Sequence, residues 1–183
     1  WSIMCSGNYN NNGRTPPTYS AYERFFLGWL TPEQLTEKGQ YALEPLQESN
    51  QAYLIAEKAH NLNGDNPNPN EFFLLEYRTK TGWDTYLPGS GMLVWHIDYL
   101  ASAWYHNTLN DGPDFLRIHL EEANGISWNQ RRNGENGRAS DPYPGTNNVT
   151  SFTPKLHDGT VLSDQNVLAI TDNNTWLSFV YKG

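Results

Sequence analysis

Two short runs carry the residues best suited to chemistry. In GMLVWHIDYL, His96 and Asp98 alternate with Trp95 and Ile97, and in RIHLEEA, His119 and Glu121 alternate with Ile118 and Leu120. Alternate side chains of an extended strand share a face. Two such strands, side by side and in register, would gather His96, Asp98, His119 and Glu121, all acceptable zinc ligands by type. A half-buried strand also needs a polar face, so solvation or cross-strand pairing of these residues is the plainer expectation. Packing of that face against another part of the protein is an intermediate one.

Other constellations are weaker. Glu76 and Asp84 have the types of an acid–base pair in glycoside hydrolysis, which works at separations of about 5–10 Å. Twenty acidic residues offer many accidental pairs, and Asp84, between Trp83 and a Pro-Gly turn, reads as a turn-capping residue. The loops Asn61 to Asn70, Asn110 to Asp114 and Asp158 to Asp164 hold oxygen ligands of the kind calcium uses. None has the D-x-D-x-D-G pattern with its following glutamate, and ordinary Asx turns account for them. Neither a G-x-S-x-G elbow nor a phosphate loop occurs. The single cysteine, Cys5, excludes an internal disulfide and reads as a small buried hydrophobe.

The elements that must position these residues are mostly strands. Ser20-Ala21-Tyr22-Glu23 has the form of a capping box opening a short helix over Ala21 to Leu27, with Gly28 placed to end it. Thr31-Pro32-Glu33-Gln34 predicts a second, one-turn helix, with Thr31 as cap and Pro32 at the first helical position. Beyond residue 40 come β-rich segments between turns: Tyr53–Lys58, Phe72–Thr79, Met92–Tyr99, Phe115–Glu122, Val161–Ile170 and Trp176–Tyr181. NLNGDNPNPN and the stretch from Asn124 to Thr153 read as loops.

The opening WSIMCSGNYNNNG is a turn by composition, and with TYSAYERFFLGWL it resembles the immune inhibitor A-like family of secreted bacterial zinc metallopeptidases. There a Trp-x-x-Met-x-x-Gly turn lies beneath the metal and leads into a helix ending Leu-Gly-Trp. EFFLLEYRTKTGWDTYLPGSGMLVWHID, RIHLEEANG, SDPYPG and AITDNNTWLSFVYKG resemble further blocks of that family in the same order, with Asn124 standing where the family has Asp. The resemblance implies an α+β, mainly β chain: residues 1–40 as the C-terminal end of a catalytic domain, and residues 41–183 as a β-sandwich-like domain packed on it.

It further implies that the zinc ligands and general base lie on an H-E-x-x-H helix upstream of Trp1. None of His60, His96, His106, His119 or His157 stands in that pattern, so no catalytic residue or metal ligand is assigned to this chain. Met4 is expected as the buried floor beneath the metal, and Ser6, Gly7, Asn8 and Tyr9 as candidates for the wall of the substrate cleft. The expected partners are the missing catalytic segment and a protein or peptide substrate, the expected location is secreted or cell-surface, and the chain alone is expected to be inactive. The alternative is a stand-alone carbohydrate- or protein-binding β-sandwich using Trp83, Trp104 or Trp128 as platforms.

Charge narrows the classes further. A formal charge of −8 and a pI near 5.0 over 183 residues argue against nucleic acid, whose binding needs clustered Lys and Arg. No apolar run approaches the roughly 18 residues of a membrane span. Aromatic residues at 14% against charged residues at 17% leave a surface of polar, uncharged groups, as extracellular proteins often have. Trp1, Ile3, Phe25, Phe26, Leu27 and Trp29 carry more apolar surface than a turn and one short helix can bury among themselves.

Overall fold

The computed structural model describes residues 1–112, 115–126, 138–162 and 170–183. Its frame is a five-stranded sheet in the order β1-β3-β4-β5-β6, formed by β1 (Glu33–Gln34), β3 (Tyr53–Ile55), β4 (Glu71–Arg78), β5 (Gly91–Asp98) and β6 (Ile118–Leu120). A second sheet, β2-β8-β7, joins β2 (Gly39–Leu43) to β8 (Leu177–Tyr181) and β7 (Ile170–Asp172). The mainly β expectation therefore holds. The helices are short: α1 (Ala21–Phe26), α2 (Leu46–Ser49) and α3 (Ala101–His106). Among the described residues no helix is long and apolar enough to cross a membrane.

The central strands are buried on both faces. Phe73, Leu75, Tyr77, Met92 and Val94 point into a core shared with Leu43, Leu177, Phe179 and Tyr181 of the small sheet. Phe72, Leu74, Leu93, Trp95 and Ile97 point the other way, onto Trp1, Leu30, Leu46 and the inner face of α1. This explains why FFLL and MLVW are unbroken apolar runs, as strands covered on both sides require. Of the two plainer expectations for the His96 face, it removes solvation, since His96 is only 3% exposed, and leaves pairing across strands, which His96 makes with Glu71 of β4.

Helix α1 forms as its sequence predicts. Ser20 Oγ accepts from the Glu23 N–H at 3.2 Å, and Glu23 Oε2 accepts from the Ser20 N–H at 2.6 Å. Gly28 follows at φ +71°, a left-handed conformation that suits glycine after a helix. The neighbouring expectation fails, since Glu33–Gln34 is not helical but pairs parallel to Tyr53–Leu54 as the sheet edge. Pro32 is harmless at an edge, where its missing N–H breaks no ladder. Strands β2 and β7 and helices α2 and α3 were not foreseen. Most of the expected strand Val161–Ile170 lies outside the described residues, and Ile170 opens β7.

Residues 1–40 and the rest of the chain share both cores. Leu35 packs with the small sheet, α1 with β4 and β5, and β2 itself spans residue 40. A buried ion triad keys the two parts together. Arg78, 1% exposed, bonds Glu76 Oε1 at 3.0 Å and Asp84 Oδ1 at 2.7 Å. The second oxygen of Glu76 accepts from the Ala21 N–H, and Asp84 Oδ1 also accepts from the Thr18 N–H at 2.8 Å. Asp84 is thus a buried counter-ion and not a turn cap. Both carboxylates of the supposed acid–base pair are occupied by one guanidinium.

His60 is a second buried titratable group. Its ring lies 4.8 Å from Phe72 and 6.0 Å from Phe25, and its Nδ1 accepts from the Leu62 N–H at 2.9 Å. Burial holds its pKa below 6.5, with the Pro69 carbonyl opposing by a smaller amount. The unfolded chain takes up this proton below about pH 6.5 while the folded chain resists it, so the contribution is complete above that pH and lost as pH falls. The slope is at most about 1.4 kcal/mol per pH unit. Urea unfolding on either side of pH 6.5 should show a shallower loss for His60→Gln than for the natural chain; equal slopes would remove His60 from the account.

Candidate functional site

Two places hold the residues singled out by the sequence. The first is the N-terminal turn, where Ser6–Tyr9 form one 3-10 turn. It is braced from within: Glu23 Oε1 accepts from Ser2 Oγ at 2.7 Å and from the Met4 N–H at 3.3 Å, and the Gly7 N–H donates to the Ser2 carbonyl at 3.1 Å. A Cβ on Gly7 would stand 2.4 Å from that carbonyl oxygen, so only glycine fits. With its backbone tied inward, the turn throws its side chains out. Met4 is 81% and Tyr9 73% exposed, and Ser6 and Asn8 are exposed as well. The expectation of a buried Met4 is not met in this chain, and Cys5, expected to be buried, is exposed too.

The second place is the end of the large sheet, where β5 and β6 pair in the register His96↔His119. The juxtaposition imagined from sequence is therefore real, and it is joined by two residues the sequence did not single out. Glu71, which opens β4 opposite Asp98, accepts from His96 Nε2 at 2.9 Å. His157, from a loop, sets its Nδ1 3.0 Å from the same Glu71 oxygen and 3.6 Å from Asp98. Its backbone N–H also donates to Glu71, at 2.6 Å. Glu121 reaches His96 Nδ1 at 3.1 Å and His119 Nε2 at 3.2 Å.

Packing fixes the rings. His96 lies between Phe73, 4.3 Å away and 25° from parallel, and His157, 4.5 Å away and 18° from parallel; Phe115 covers the outer face of His157 at 4.3 Å. The three imidazoles each present a ring nitrogen within 4.8 Å of the others. Burial alone would raise the Glu121 carboxyl, but its hydrogen bonds to His119 and His96 outweigh this and hold it at about 2. Burial lowers the His157 pKa, and the charge of His96 beside it lowers it further. Such a cluster can trade protons or hold a cation.

The remaining candidates have local structural partners. Asn61 Oδ1 accepts from the Asn63 and Asn68 N–H groups, both at 3.1 Å, and Asp158 Oδ1 from the Thr160 N–H at 2.8 Å, which are Asx turns. Asn110 binds the backbone of Arg117 and Ile118 and so anchors β6; Asp114 and Asp164 lie outside the described residues. Of the suggested platforms, Trp83 is 62% exposed, Trp104 packs on Tyr99 and Tyr22, and Trp128 is outside the described residues. No signal near His157 in the sequence could have placed it here, because a loop brings it across from a distant part of the chain. The chain matches no family model, and neither a curated protein nor a solved structure is significantly similar to it.

Proposed function

We propose that this chain is the C-terminal part of a secreted zinc metalloendopeptidase, residues 1–40 completing a catalytic domain whose H-E-x-x-H helix lies upstream. The observation that carries the reading is the braced, outward-facing turn at Met4, in a segment that resembles the Met turn of immune inhibitor A-like peptidases. Among the described residues, twelve large apolar side chains are exposed, and five of them (Met4, Tyr9, Tyr19, Leu27 and Trp29) fall within the first 29 residues. Of these, Tyr19 and Trp29 meet edge-on at 5.4 Å, and exposed apolar contact of this kind supports a surface which another segment covers. Trp1 and Phe25 are already buried on the β sheet, so the sheet acts as the platform and the outer side of the turn as the docking side.

In this reading the upstream helix holds the zinc, which when bound polarises the scissile carbonyl and activates water, with a glutamate as general base. The chain's own part is to supply Met4 as a floor and Ser6, Asn8 and Tyr9 as cleft wall, while Gly7 and Glu23 keep the turn in shape.

The test is to express the chain joined to its natural upstream segment. Chelator-sensitive proteolysis should appear, be abolished by changing the H-E-x-x-H glutamate to glutamine, and be accompanied by slowed amide exchange over residues 1–30. An upstream segment without that motif, or unchanged exchange with no activity, would instead favour a stand-alone binding module.

A further inference from the structure

The end of the large sheet collects more ionisable groups than a structural ion pair needs. Glu71, Asp98 and Glu121 converge there with His96, His119 and His157, and the one cation in direct contact among the described residues is Arg117, 3.4 Å from Asp98. With neutral imidazoles the cluster carries a net charge of −2, counted as three carboxylates against one guanidinium. Balancing this charge with protons would place two imidazolium ions within reach of one another at a partly buried site, where like charges repel. A single divalent ion balances it without that repulsion.

Two of the three imidazoles carry a carboxylate on one ring nitrogen, as metal-binding histidines commonly do. A ligating histidine commonly gives its far N–H to a carboxylate, which fixes the ring and leaves the near nitrogen as a lone pair. His119 does this through Nε2 to Glu121, while its Nδ1 is shielded from solvent and makes no hydrogen bond among the described residues. His157 does it through Nδ1 to Glu71. His96 lies between them with a carboxylate on each ring nitrogen, and would release one contact on binding. A buried ring nitrogen without a partner is costly in a protein interior, and an ion is the partner that suits a lone pair.

We propose that His96, His119 and His157 bind one divalent transition-metal ion of the zinc class, oriented by Glu71 and Glu121, and that the ion fastens the loop carrying His157 to β4, β5 and β6. Imidazole nitrogen with carboxylate oxygen suits zinc, cobalt or nickel better than calcium or magnesium. The nitrogens, within 4.8 Å of one another, must close to about 3.4 Å, the edge of a tetrahedron with ligands at about 2.1 Å. His157 is on a loop and can supply that movement without disturbing the sheet. The site differs from the sequence expectation, under which no histidine of this chain was given a metal. It uses this chain's residues alone and does not depend on the peptidase reading.

The experiment is a titration of the tag-free 183-residue chain, stripped with a chelator, with Zn²⁺ and separately with Co²⁺. One ion per chain is expected, together with the visible absorption of Co²⁺ in a low-symmetry nitrogen and oxygen site and a rise in Tm. His119→Ala and His157→Ala should each weaken binding at least ~100-fold, and Glu121→Gln by about 10–100-fold, as loss of an orienting carboxylate does. If His119→Ala does not fold, His157→Ala, which alters only a loop, and X-ray absorption of the natural chain for imidazole ligands decide instead. When the chain is joined to an upstream H-E-x-x-H segment, the metal count should be two and fall to one on His157→Ala. No stoichiometric binding, or binding that survives His157→Ala undiminished, overturns the site and leaves the peptidase reading untouched.

Discussion

Arg78→Met should destabilise the chain by about 3–5 kcal/mol, because it leaves two buried carboxylates without a counter-ion. Burial opposes the guanidinium charge, but Glu76 and Asp84 more than offset this and raise the Arg78 pKa. The loss should be concentrated at the N-terminus, since Glu76 and Asp84 accept from the backbone of Ala21 and Thr18, and Arg78 Nη2 donates to the Thr18 carbonyl at 3.2 Å. Amide exchange across residues 18–25 should therefore rise before that of β4 and β5. Replacing all three ions by Met and Leu should recover only part of the loss, as the Ala21 and Thr18 N–H groups would then lack acceptors. A loss below about 1 kcal/mol in urea unfolding, typical of an exposed pair, would mean that the triad is not what holds the N-terminal segment to the sheet.

Phe73→Ala should cost a comparable ~3–5 kcal/mol, the usual range for removing a buried phenylalanine, since Phe73 is fully buried. The place where the damage spreads is the sharper expectation. Phe73 stacks on His96 and meets Phe152 edge-on at 5.6 Å, so the segment from Phe152 to His157 should lose protection. Phe72, its neighbour on the opposite face, touches Phe25 and His60, and Phe72→Ala should loosen α1 and the turn after His60 while sparing Phe152. Hydrogen exchange on the two variants measures this directly. Identical exchange patterns would contradict two separate cores on either side of one sheet.

The division between what was legible in the sequence and what was not follows the reach of the forces involved. The capping box at Ser20 and Glu23, the Asx turns at Asn61 and Asp158, and the long apolar strands β4 and β5 were legible, because each depends on neighbours a few residues away or on an unbroken apolar run. The helix-start signals of Thr31 to Gln34 are equally local and misled, because Leu35 N–H bonds the Leu54 carbonyl at 2.8 Å and Glu33 N–H that of Ala52 at 3.0 Å. That pairing with β3 outweighs a weak helix preference. Asp84 was read from its turn neighbours, whereas its role is set by Arg78 and by Thr18, 66 residues away.

The candidate metal cluster divides in the same way. Alternation in two strands put His96 with Asp98, and His119 with Glu121, on shared faces, since side-chain direction in a strand is fixed by the backbone. That β5 and β6 are neighbours in the register His96↔His119, and that His157 joins Glu71 across 86 residues of chain, was decided by the tertiary fold. Strand pairing and loop placement depend on which apolar faces find each other. No window of sequence short enough to be read locally contains both partners.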